Sequence, residues 1–142
     1  MRNGRRFAYT PADSMVGEAS LLPLLPLVLH YQGCSTSATG LLDTGATVNV
    51  LPYPLGVELG AVWEGQTVSV QLTGNLARYE ARALLVSAEV GRFPPVPVVF
   101  AWTRAEAIPL ILGQVNFFME FDVCFYRSQL AFEVRPKAGA RG

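Results

Sequence analysis

One carboxylate stands out by its setting among the residues able to do chemistry. Asp43 closes an apolar lead, Leu41-Leu42, and is followed by Thr44, Gly45 and Ala46. A carboxylate at the end of an apolar run is expected to lie against packed core with little water around it. That setting suits acid–base work. Thr44 can hydrogen-bond its surroundings and fix a turn. Gly45 permits a backbone conformation, or a close approach, that a Cβ would obstruct. Ala46 leaves room for a neighbour. For the tripeptide alone, a β-turn with an Asx-type hydrogen bond is the plain alternative. The other candidates are weaker. Asp13 and Asp122 lack both the apolar lead and the glycine, and Asp122 reads as a residue at the end of a helix. His30, the only histidine, has no ligand partners in sequence and reads as a strand residue. Cys34 and Cys124 are far apart and without metal-like spacing, so they read as reduced, buried thiols. Neither a metal nor a cofactor is expected.

A second stretch changes the weight of the first. Pro109-Leu110-Ile111-Leu112-Gly113 stands far downstream and precedes a helical-looking segment. Taken together in this order, Asp43-Thr44-Gly45-Ala46 and Ile111-Leu112-Gly113 resemble the paired signatures of the single-lobe, retropepsin-like aspartic proteases. The resemblance runs from about Leu24 to Val134. It implies an all-β fold with one short helix, a closed β-barrel or sandwich protomer that forms a twofold dimer. It also implies that Asp43, Thr44 and Gly45 are the catalytic triplet, that Ile111, Leu112 and Gly113 brace the active-site loop from below, and that Thr44 hydrogen-bonds across the dimer axis. Retroviral members often carry an acidic residue just after the first signature and an arginine just after the second, which pair near the interface. Thr47 and Gln114 occupy those places here, so that contact of the dimer must differ.

The chemistry explains why a dimer is implied. Hydrolysis by carboxylates needs two of them close together. The ionised one takes a proton from water and the protonated one donates to the scissile carbonyl, the pair titrating as a coupled unit. This chain holds one Asp-Thr-Gly. Each subunit of a homodimer would then give its Asp43 to a shared site. The leading function is an aspartic endopeptidase acting on a peptide or protein substrate. The alternative is a non-catalytic or weakly catalytic module of the same fold that dimerises or binds peptides.

The elements that must position these residues are mostly strands. Leu25, Leu27, Leu29 and Tyr31 share one face of a strand, a turn follows at 32–36, and a returning strand at 37–43 delivers Asp43. Val48 to Pro52 is extended, and 54–60 holds a short helical turn. Val68, Val70 and Leu72 alternate with polar residues, as do Tyr79, Ala81 and Ala83. These predict a long hairpin with its tip at Thr73-Gly74-Asn75. By the resemblance this hairpin is the flap, and Ala46, Thr73, Gly74 and Asn75 contact substrate. Val96 to Trp102 and Ile108 to Leu112 read as further strands. Gln114 to Phe121, with Val115, Phe118 and Met119 at helical spacing, predicts a short helix packed on the core. Val123 to Val134 predicts a last hairpin. Trp63 and Trp102 are open to either a substrate groove or core packing.

Composition bounds the rest. The 142 residues suit one domain, read as an N-terminal arm or leader (1–20), a protease domain (21–135) and a flexible tail (136–142). Hydrophobic residues make up 51% and charged residues 15%, which excludes a disordered class and points to apolar surface needing cover. Eleven basic and 11 acidic residues balance, so no electrostatic footprint for nucleic acid exists. The apolar run at 21–29 is too short for a membrane span. A basic start, this run and Gly33-Cys34 suit a lipidated cysteine poorly. Asp13 and Glu18 precede the run, Pro23 and Pro26 interrupt it, and His30-Tyr31-Gln32 sits where small apolar residues belong. A cytoplasmic protein is expected.

Overall fold

Alternation of apolar and exposed side chains governs most of the chain, and strands follow from it. Leu25, Leu27 and Leu29 are buried while Pro26 between them is exposed. The structure, a computed structural model, describes residues 1–12 and 21–139. Residues 13–20 of the expected arm or leader and 140–142 of the expected tail lie outside the described residues. The strands are β1 (Arg5–Ala8), β2 (Thr10–Pro11), β3 (Leu21–Leu22), β4 (Leu24–Tyr31), β5 (Cys34–Leu42), β6 (Asn49–Pro52), β7 (Ala81–Glu89), β8 (Val96–Thr103), β9 (Leu110–Leu112), β10 (Phe121–Tyr126) and β11 (Ala131–Pro136). Two short helices, α1 (Tyr53–Glu58) and α2 (Phe117–Glu120), interrupt them.

Six strands close into a barrel in the order β4-β5-β9-β6-β8-β7. Closure removes the open edges that a flat sheet would leave. β9 is wedged between two strands, parallel to β5 and antiparallel to β6. Inside the barrel Leu25, Leu29, Leu51, Leu84, Phe100 and Leu112 are fully buried, each stabilising the fold by about 1.5–3 kcal/mol. The start of β8, marked by Pro95 and Pro97, pairs with β7 alone, and β6 joins only at Phe100–Thr103. A second sheet, β1-β11-β10, lies outside the barrel. Its middle strand buries Phe132 and Val134, and Phe7 stacks on Phe132 at 5.3 Å between ring centroids. Glu133 ties β1 down. Its carboxylate meets the Met1 nitrogen at 2.8 Å and Arg6 Nη1 at 3.2 Å. The contact with the Met1 ammonium and then Arg6 hold this carboxyl below its ordinary range, against the opposing effect of desolvation.

Three expectations need correction, and the structure decides one reading left open, that of Trp63 and Trp102. The strand expected at 68–72 is reduced to a bridge between Ser69 and Arg82 with two backbone bonds, Val70 N–H to Ala81 O and Ala83 N–H to Val68 O. Val68 is 62% exposed. The alternation is real, and Leu72 and Val70 on the same face do pack into a small apolar cluster, but the segment pairs with β7 only at this bridge. The helix expected over 114–121 begins only at Phe117 and turns a different face inward. Val115 and Met119 are exposed, while Phe117 and Phe121 are buried and stacked at 4.7 Å. Val115 is instead held in a parallel bridge beside Val48, with the N–H groups of Gln114 and Val115 donating to Ala46 O and Thr47 O. The thiols of Cys34 and Cys124 are free but exposed. Trp63 and Trp102 belong to the core. Their rings meet edge-on at 5.2 Å, and the guanidinium groups of Arg82 and Arg104 lie over Trp63 at 4.4 and 4.6 Å.

Candidate active site

β5 carries Asp43 to the end of the barrel. Beside it runs β9, with Leu41 opposite Ile111 and Leu42 opposite Leu112. The Asp43 N–H donates to Leu112 O at 3.0 Å, extending this parallel ladder to the carboxylate's own residue. The chain then turns. Ala46 N–H donates to Asp43 O at 3.1 Å, and Gly45 N–H donates to the side-chain Oδ1 at 2.9 Å. This Asx-type turn holds the carboxylate in one orientation. Asp43 is half-buried rather than dry, because it stands just past the strand's end on the rim of an open cleft.

Gly113 forms the floor of the loop. A Cβ there would come within 2.7 Å of Val48 O and 2.8 Å of Ala46 O, contacts with backbone that cannot swing aside. Its N–H donates to Oδ1 of Asn49 at 2.8 Å. Asn49 is fully buried, and its Nδ2 donates to Val99 O at 3.0 Å. Val99 N–H in turn donates to Asn116 Oδ1 at 2.9 Å. Further bonds bracket the loop: Gln114 N–H to Ala46 O, Val115 N–H to Thr47 O, and the Gln114 side-chain amide to Thr44 O at 2.8 Å. Asn49 and Asn116 are the supporting residues that sequence reasoning missed. For Asn49 a signal existed, a lone amide inside the apolar run Val48–Leu51.

A cleft of about 240 Å³ opens above the loop. It brings together Asp43, Gly45, Ala46, the Thr73-Gly74-Asn75 tip and Ile111, although the tip is some thirty residues from Asp43 in sequence. The tip is a 3-10 turn over Gly74–Leu76, with Gly74 at φ +63°. Thr44, exposed, does not line the cleft, and Leu112 and Gly113 are buried behind it. Val48, Val50, Leu72 and Leu76, not singled out from sequence, supply apolar walls. Asp43 is the one charged group in the lining, so the cleft offers a single carboxylate against apolar surface. A roomier hollow of about 600 Å³, between Arg5 and Glu89, does not include it. Among the described residues no three His, Cys, Asp or Glu side chains gather in a way that would hold a metal ion. No helix among them is long and apolar enough to cross a membrane.

Solved structures share this architecture. The chain superposes on a retropepsin-like aspartic protease from Rickettsia conorii with a TM-score of 0.58, at 14% identity over 92% of each chain. The fold is retropepsin-like. The protease of EIAV, solved with the inhibitor HBY-793, matches with a TM-score of 0.52 at 18% identity, covering 74% of this chain and 92% of its own. No protein-family model matches the sequence, and no curated protein does. In this retropepsin-like barrel the expected fold class, mostly β with a closed barrel and little helix, is what is found.

Proposed function

We propose that the chain is an aspartic endopeptidase that works as a homodimer, each subunit giving one Asp43 to a shared water-activating pair. The observation that carries this reading is the oriented carboxylate of Asp43 on the rim of a cleft that is otherwise uncharged, in a retropepsin-like fold. A rigid loop favours the chemistry, since proton transfer depends on placing the carboxylate within hydrogen-bond reach of water and substrate. Thr44 supports the two-chain arrangement. It is exposed beside Asp43, and its hydroxyl enters no hydrogen bond among the described residues, leaving it free for the cross-axis role. Gln114, where retroviral members carry arginine, serves its own chain's loop instead. The 73–76 tip acts as the flap, and Val48, Val50 and Ile111 line the floor on which a peptide lies.

The test is Asp43→Asn, nearly the same shape but unable to share a proton. Cleavage of a peptide library should vanish while the circular dichroism spectrum and melting midpoint stay as they were. Retained cleavage refutes the assignment. One observation favours the alternative, a binding module of weak or no activity: the strand leading to the tip is reduced to a single bridge, so closure over substrate has less to hold it. Pepstatin-sensitive cleavage by the wild type separates the two readings.

A further inference from the structure

Outside the cleft, one run of hydrogen bonds joins a carboxylate, an imidazole and a hydroxyl. His30 Nδ1 lies 2.7 Å from Ser35 Oγ, and His30 Nε2 lies 2.7 Å from Glu89 Oε1. Three strands meet to make it. β4 and β5 form a hairpin whose two turn residues, Gln32 at φ +47° and Gly33 at φ +84°, both lie in the left-handed region. A two-residue turn of that kind fixes the register, and the register sets His30 opposite Ser35. β7 runs along the other side of β4, with Ser87 opposite His30 and Glu89 opposite Val28. Side chains alternate between faces along a strand. Leu27, Leu29 and Ala88 are buried inside the barrel, so His30, Ser35 and Glu89 share its outer face.

The carboxylate decides which way the protons point. An ionised carboxylate only accepts, so Nε2 must carry the ring's proton. In the neutral imidazole Nδ1 is then left with its lone pair, and the Ser35 O–H donates to it. A hydroxyl donating to an imidazole that a carboxylate orients is the arrangement that activates a serine, here with the two ring nitrogens exchanged. The group is also within reach of solutes. Ser35 is exposed, and the His30 and Glu89 side chains keep 34% and 36% of their surface open. His30 borders a hollow of about 400 Å³ whose walls include Tyr31, Leu85 and Pro97. Glu89 borders the separate hollow of about 600 Å³.

We propose that Ser35 is a nucleophile, outside the Asp43 cleft, that takes an acyl group from small activated donors, thioesters or aryl esters, with His30 as its base and Glu89 positioning the ring. As Ser35 Oγ bonds to the acyl carbon, its proton passes to His30 Nδ1. The carbon–sulfur or carbon–oxygen bond of the donor breaks, and the leaving thiolate or phenolate takes that proton from the imidazolium. The products are an ester on Ser35 and a free thiol or phenol, with nothing oxidised or reduced. Two features select this donor class. The reacting hydroxyl stands on an open face, where a donor with a good leaving group needs least help from the protein. The apolar walls beside His30 suit a short acyl chain or an aromatic ring. Ser37 and Thr39 lie exposed on the same face of β5, and both nitrogens of the one imidazole in the chain are already engaged by Ser35 and Glu89. They are hydroxyls of the same setting without a base.

The probe is p-nitrophenyl acetate, with acetylation of the full chain located by peptide mass mapping. Ser35 should be acetylated about a hundredfold faster than Ser37 or Thr39, as a positioned base provides. This comparison lies within the wild type and needs no variant to fold. His30→Gln should bring Ser35 down to the rate of its neighbours, with the circular dichroism spectrum unchanged. Because His30 is the only histidine, NMR reads its ring nitrogens without ambiguity. At a pH where the ring is neutral the proton should sit on Nε2, and Glu89→Gln should shift it toward Nδ1 and slow acetylation of Ser35 together. Ser35 reacting no faster than Ser37 and Thr39 overturns the proposal, as does undiminished labelling of Ser35 in His30→Gln. A neutral ring protonated on Nδ1 in the wild type overturns the roles given to His30 and Glu89.

Discussion

Asn49 is the side chain on which the loop geometry depends most. Its amide is fully buried and bonds at both ends, accepting from Gly113 N–H and donating to Val99 O. Asn49→Leu keeps the volume but strands both partners in the core, which should cost about 1–3 kcal/mol for each group left unsatisfied. Urea unfolding would read the loss. Peptide cleavage should fall further than stability alone accounts for, because Gly113 no longer anchors the floor under Asp43. Equal activity at saturating folded protein would show that the floor is held otherwise. The same residues show what could be read in advance. Asp43 and Gly113 are legible because their types are the message: an acid after an apolar run, and a position where a Cβ would strike Val48 O. Asn49 was not, since an amide in a strand announces no partner until Gly113 and Val99, distant in sequence, are folded beside it.

At the scale of elements, the tip at 73–76 and the β1 clasp each carry a prediction. Gly74 has φ +63° with open space around it, so a substitution there meets strain rather than collision. Gly74→Val should cost about 1–2 kcal/mol in the turn. If the turn is the flap, the slowing of turnover should exceed any loss of melting temperature. Unchanged kinetics would leave it an ordinary surface turn. Glu133 binds β1 to the C-terminal hairpin, and its carboxyl is lowered from the ordinary 4.5 by its contacts with the Met1 ammonium and Arg6. A lowered folded value means the clasp stabilises fully above the unfolded value and is lost as pH falls through the folded one. The gap in denaturation midpoint between wild type and Glu133→Gln should therefore be constant at neutral pH and close on acidification below about 4.5. A gap that persists at low pH would mean packing, not charge, holds β1. Element types were largely legible from period two, as at Leu25, Leu27 and Leu29. The exceptions have physical causes: Val68 lacks cover, and Val115 is drawn into a bridge with Val48 before the helix begins.

At the scale of the whole molecule, one Asp43 per chain makes a quantitative prediction. Wild type refolded with Asp43→Asn chains should, with random pairing, show activity per total chain that follows the square of the wild-type fraction. A monomer using some other carboxylate would give a straight line. The mixture must be kept concentrated enough to stay paired, since mass action couples dimer population to concentration. The order of strands around the barrel was the least legible part of the fold. Alternation says which face of a strand is buried but not which strand lies beside it, and nothing in Leu110–Leu112 announces a place between β5 and β6. That placement has a consequence for a chain being made on the ribosome. The floor and brackets of the Asp43 loop all come from residues 110–116, which emerge long after the loop itself. At ~5–20 residues per second the delay is several seconds. During that interval the Asp43 turn has only its own local hydrogen bonds, Gly45 N–H to Oδ1 and Ala46 N–H to Asp43 O, and the loop takes its final geometry only once 110–116 have emerged.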